Sequence, residues 1–239
     1  VPRFRLVLAV VAAGLVALAG CSNNKPSDEA QQPQQTQETP AKVANQKAAG
    51  AVKDEPPTSA QLKNAIGKII LNDGEIGRDV EVQDQDDSLQ APTNDICAKD
   101  WASNKTRIAR NQDFFWKSSA KTAELVVSNE AVAYQPGKGA AALAEIEKAL
   151  DDCDSWKHPQ GEYKDVATVD APDGALKDSF AWRGVDDRKG KDYSILVVYQ
   201  TDGDLLSVVY VWADSRDEAQ EVASDLAPKV ADRLKAAVG

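Results

Sequence analysis

The feature that most constrains this chain is a pair of apolar segments, 193–201 and 204–213, with Asp202-Gly203 between them. An Asp-Gly pair between two strand-like runs is a strong two-residue hairpin signal. That turn places Tyr199 opposite Leu206, Val197 opposite Val208, Ile195 opposite Tyr210 and Tyr193 opposite Trp212. Side chains alternate along a strand, so these eight residues share one wholly apolar and aromatic face. The other face carries Leu196, Val198, Leu205 and Val209 with Ser194, Gln200 and Ser207. A hairpin apolar on both sides needs cover on both sides, which places it in the middle of a sheet rather than at an edge.

The rest of the domain reads as material for that sheet and its cover. Segments 107–116, 122–134, 165–169 and 176–184 have strand character, the second alternating through Glu124, Val126, Ser128, Glu130 and Val132. Thr58 and Gln61 have capping-box spacing, and Leu62, Ala65, Ile66, Ile69 and Ile70 follow at helical intervals until Asn72-Asp73-Gly74 stops the helix. A second helix, 140–151, is expected to bury Leu143, Ile146, Leu150 and Cys153 on one face. A third begins at Ser215-x-x-Glu218, and Pro228 is expected to kink or split it. The fold class is therefore α+β: an antiparallel sheet of about five to six strands packed against helices, spanning 58–239.

Residues 1–20 belong to a different regime. Arg3 and Arg5 precede an apolar run from Leu6 to Leu18, and no acidic residue occurs. A basic start, a short apolar core and small residues before a cleavage point make an export signal, too short for a stable membrane span. Its ending, Leu18-Ala19-Gly20-Cys21, resembles the lipobox of bacterial lipoproteins. That resemblance implies cleavage before Cys21, acylation of its thiol, and attachment to the extracytoplasmic face of the cell membrane. Between Ser22 and Pro57 there is no Leu, Ile, Phe, Tyr or Trp, while Gln and Pro abound. Such a segment buries too little apolar area to offset chain entropy, so 21–57 is expected to be a disordered tether.

With Cys21 assigned to lipid, Cys97 and Cys153 remain as a pair in an oxidising compartment. A disulfide between them closes a loop that stabilises the fold by about 4 kcal/mol in the chain-entropy account.

Chemical signatures are sparse. The net charge of −10 disfavours nucleic acid as a partner. The single His, His158, leaves no two-His metal site, and no cofactor motif is present. Ser118-Ser119-Ala120-Lys121 has the S-x-x-K spacing of penicillin-binding enzymes without their other elements. Asp84, Asp86, Ser88 and Asp95 outline a calcium loop, but Leu89 stands where that loop requires glycine, and a solvated acidic loop is the expectation. A paired-carboxylate hydrolase would draw on Glu124, Glu130 or Asp178. What remains is aromatic: Trp116, Phe180, Trp182, Tyr199, Tyr210 and Trp212 are candidates for a cleft lining. Among them Trp116, Trp182, Tyr199 and Tyr210 are the expected ligand-binding residues, with Trp182 as cleft wall and Trp212 as core.

Taken in order, Cys97, Phe115-Trp116, Asn129-Glu130-Ala131-Val132 with Tyr134, the Ala-rich helix 140–151, Cys153 with Trp156, and Gly203-Asp204-Leu205-Leu206 resemble the PknH-like extracellular domain family. The resemblance spans about three quarters of the chain. It implies an α+β sensor-type domain with a ligand cleft and without catalysis, its partner a small molecule, a glycan or an envelope protein. The extracellular domain of the family's kinase carries two disulfides, and only one is available here. No binding residues transfer from the family.

Overall fold

The computed structural model describes residues 55–116 and 125–237. The signal, Cys21, the tether as far as residue 54, the Ser118–Lys121 motif and Glu124 lie outside them. Eight strands form one fully antiparallel sheet. They are β1 (Glu81–Asp86), β2 (Arg107–Trp116), β3 (Val126–Tyr134), β4 (Trp156–His158), β5 (Gly161–Val169), β6 (Ser179–Arg188), β7 (Lys191–Asp202) and β8 (Leu205–Ala213). Their spatial order is β1-β2-β3-β8-β7-β6-β5-β4, so the hairpin β7–β8 is central.

Six of the eight strands match expected segments, and the two added ones explain the larger count. β1 lies in the stretch read as an acidic loop. It is an edge strand held to β2 by backbone pairing and is largely exposed, so it needs no apolar alternation and shows none. β4 has only three residues.

The hairpin turn is Gly203-Asp204, one residue beyond the expected Asp202-Gly203: Asp202 pairs with Leu205, Tyr199 with Val208 and Ile195 with Trp212. Gly203 has φ +60° while Asp204 does not have positive φ, the arrangement of a turn with glycine at its first central position. Asp204 is drawn out of the strand because its carboxylate accepts hydrogen bonds from the backbone N–H groups of Gly137, Lys138 and Gly139 at 2.8–2.9 Å. Partners shift by two positions, so each residue keeps its face.

Those faces bury two separate cores. On one side α1 (Ser59–Ile69) and α4 (Arg216–Ala237) cover Leu196, Val198, Leu205, Val209 and Val211. The Thr58–Gln61 capping box starts α1, and the Ser215 hydroxyl accepts from the Glu218 N–H at the head of α4. α4 runs unbroken through Pro228, because Leu226, Ala227 and Val230 are pinned in the core on either side of it. A short helix α2 (Asp73–Ile76), with its own Asn72–Glu75 capping box, replaces the expected stop after α1. Arg233 of α4 ties that corner down, donating to the Glu75 carboxylate and to the carbonyls of Lys68 and Ile70. No helix among the described residues is long and apolar enough to cross a membrane.

On the other side lies α3 (Gly139–Ala149). Its buried face is Ala142, Ile146 and Ala149; of the expected residues Ile146 lies on it, while Leu143 and Leu150 flank it half-buried. The start of the helix abuts the β7–β8 turn: at Gly139 an added Cβ would meet the Gly203 carbonyl at 2.2 Å. Cys153 follows α3 in extended conformation rather than on its last turn, and bonds to Cys97 with their Cα atoms 5.9 Å apart. The bridge fastens the loop between β1 and β2 over this second face.

Candidate functional site

α3 packs against the part of the sheet near the Gly203 turn, around Tyr134 and Leu206, and leaves the other end of that face open. The opening is a cleft of about 670 Å³. Its floor is built by strand alternation. Gln112, Phe114 and Trp116 project from β2, Val126 and Glu130 from β3, and Tyr210 and Trp212 from β8. Tyr199 of β7 and Trp182 of β6 continue the row. One wall is the disulfide-fastened loop with Ala91, Pro92 and Asp95; the other is the β4–β5 turn with His158, Pro159 and Gln160.

Polar atoms cross this aromatic floor in a line that touches six strands. The Trp182 indole N–H donates to the Tyr199 hydroxyl at 3.4 Å, and the Tyr210 hydroxyl stands beside it. Tyr210 in turn donates to Glu130 Oε2 at 3.4 Å. Glu130 Oε1 receives Arg110 Nε at 2.6 Å and the Thr93 hydroxyl at 2.7 Å. Arg110 then reaches Asp86 Oδ2 on β1 at 2.8 Å. Glu130 and Arg110 are both almost wholly buried, so each depends on the other for a counter-charge. Burial works against the Arg110 cation, but Glu130 and Asp86 outweigh it and hold Arg110 above the usual guanidinium range. Burial also works against the Asp86 carboxylate; the Ser88 N–H and Arg110 prevail and hold it below the usual carboxylate range.

A second buried charge sits at the β4–β6 end. Asp186, fully buried, accepts from His158 Nε2 at 2.9 Å, from Arg188 Nε at 2.7 Å and from the Trp212 indole N–H at 2.7 Å. His158 stacks on Tyr163 at 4.3 Å, and the Arg188 guanidinium lies 4.8 Å from the Trp212 ring centre. Among the described residues no serine hydroxyl bonds to His158.

Asp95 differs from these partnered groups. It keeps surface open to the cleft, yet the walls desolvate its carboxyl, and with the nearby charge of Glu130 this raises it above the usual carboxylate range. Burial likewise pushes the phenols of Tyr163, Tyr199 and Tyr210 well up, so they remain neutral donors.

All four aromatic residues expected from sequence, Trp116, Trp182, Tyr199 and Tyr210, line this one cleft. The division between Trp182 as wall and Trp212 as core does not hold: both line the cleft and both are nearly inaccessible, at 2% and 4%. Phe180 stacks on Tyr199 at 4.6 Å within the second core and does not line the cleft. Of the candidate carboxylates Glu130 lines it, whereas Asp178 sits exposed outside it, giving its backbone carbonyl to Thr201. Sequence reasoning missed Arg110, Tyr163 and the Asp186 cluster, and it read Asp95 as part of a solvated acidic loop, whereas it lines the cleft wall. One signal was present: the alternation through Val126, Glu130 and Val132 puts a carboxylate on an apolar face, which requires a buried cation.

No family model matches the chain, and no curated protein matches it. Solved structures do, among them the crystal structure of the extracellular domain of PknH from Mycobacterium tuberculosis, with a TM-score of 0.52 and 11% identity over 74% of this chain and 97% of that one. The likeness first read from Cys97, Asn129-Glu130 and Cys153 therefore stands at the level of the fold: this chain has the α+β fold of that extracellular domain.

Proposed function

We propose that this is a lipid-anchored binding domain on the extracytoplasmic face of a bacterial membrane, and that its aromatic cleft takes a small ligand without transforming it. The observation that carries the reading is the cleft itself, about 670 Å³ and open at one end of an otherwise covered sheet face. That volume is of the size that encloses drug-sized ligands, and aromatic walls with a few fixed polar groups are the usual lining of such sites. The test is a fragment library screened by ligand-observed NMR. Hits are expected to bind the wild-type domain and to weaken about tenfold or more in Tyr210→Ala, because that half-buried ring stands in the floor. An absence of hits, or hits indifferent to Tyr210, would overturn the reading.

One observation favours a second reading as a carboxylate-based hydrolase: Asp95 and Glu130 open on the same cleft, the first raised and the second held by Arg110. Hydrolysis of a bound ligand, lost in Asp95→Asn, would establish it.

The location draws its support from Leu18-Ala19-Gly20-Cys21, from the disulfide and from the likeness in fold to an extracellular domain. Cys21→Ala is expected to move the protein from the membrane fraction into the medium, since two acyl chains anchor stably. Retention of that variant in the membrane would count against the anchor.

A further inference from the structure

We infer that the ligand of this cleft carries a cationic head, a protonated amine on a ring-bearing apolar body, with the ammonium seated at Asp95 and the body against the aromatic floor. This rests on the cleft being a binding site and names the chemistry it selects. Four carboxylates line the cleft, Asp84, Asp86, Asp95 and Glu130, with two guanidinium groups, Arg110 and Arg188; Arg110 pairs with Glu130 and Asp86, which leaves Asp84 and Asp95 without a guanidinium partner. Both guanidinium groups are already committed. Arg110 is bound to Glu130 and Asp86. Arg188 is bound to Asp186 and lies over the Trp212 ring. Neither is left to receive an anionic ligand.

Asp95, by contrast, accepts no side-chain hydrogen bond among the described residues; its own backbone N–H turns towards it, and His158 of the other wall acts on it only through charge. An acceptor in a desolvated wall, facing a second carboxylate, is completed by a donor that brings positive charge. The floor suits the same head. Ring faces attract cations through their quadrupole, and Arg188 over Trp212 at 4.8 Å shows this wall holding one. A neutral saccharide uses aromatic faces equally well, but does nothing for the repulsion between Asp95 and Glu130.

The test compares three probes that share a phenol ring and differ in the head: tyramine, 4-(2-hydroxyethyl)phenol and 4-hydroxyphenylacetate, titrated into the folded domain by calorimetry at low ionic strength. Tyramine is expected to bind about tenfold more tightly than the alcohol, and the acetate most weakly. Asp95→Asn, which preserves shape, is expected to bring tyramine down to the level of the alcohol while leaving the alcohol unchanged. An alcohol that binds as tightly as tyramine overturns the inference and leaves the cleft as a binding site. So does the case in which all three probes fail and a neutral saccharide binds. A tyramine preference that survives in Asp95→Asn overturns the seat assigned to Asp95. Failure of all three probes together with an empty fragment screen removes both this inference and the cleft reading beneath it.

Discussion

Trp182→Ala is expected to lower the stability of the domain by about 3–5 kcal/mol, the loss that follows when a large ring leaves a packed interior. Although Trp182 lines the cleft, its ring is packed on the sides away from it. Trp156 meets it edge-on at 5.4 Å, Tyr163 at 5.5 Å, and its indole N–H reaches the Tyr199 hydroxyl. Denaturant unfolding of wild type and Trp182→Ala at neutral pH measures it. A loss near 1 kcal/mol would mean that the ring is an exposed wall with little packing to forfeit. Trp182→Phe, which keeps most of the ring, is expected to recover much of the stability and not the hydrogen bond.

Glu130→Ala is expected to be as costly, about 3–5 kcal/mol, for a different reason. Removing one member of a buried ion pair leaves the Arg110 cation without its main partner at 2% side-chain exposure. Replacing both by apolar residues of similar volume removes the uncompensated charge as well, so the double variant Arg110→Met, Glu130→Leu is expected to be more stable than Glu130→Ala alone. Unfolding measurements on the set decide it. Equal losses in the single and double variants would show that Arg110 finds water or another anion when Glu130 is gone, and that the pair does not hold the floor.

The central hairpin was legible because both of its faces are apolar, a pattern only a doubly covered strand pair satisfies; the parity of its residues survived even though the turn moved by one position. That shift came from Asp204, whose value to the fold lies in bonds to Gly137, Lys138 and Gly139, some 65 residues away in sequence. Local turn preference cannot register such a partner. β1 was illegible for a related reason: an exposed edge strand is made by its neighbour's backbone, and its own side chains carry no burial signal.

At the site, the aromatic residues stood out by type, and their convergence on one face followed from strand alternation. The charged groups did not stand out. In a chain with 38 acidic residues, Asp95 and Asp186 look like surface residues, and only their packing beside Glu130, His158, Arg188 and Trp212 separates them. Burial changes the meaning of a carboxylate, and burial is a tertiary property.

The most direct measurement of the cleft's role follows the indole N–H resonances of the five tryptophans while the tightest hit of the fragment screen is titrated into the domain. Trp116, Trp182 and Trp212 line the cleft, whereas the Trp101 indole donates at 2.8 Å to the Ile96 carbonyl outside it. The account predicts that the three cleft resonances shift together and saturate at one ligand per domain, while that of Trp101 stays in place. Trp116, Trp182 and Trp212 resonances that stay unchanged while the ligand saturates the domain would contradict it.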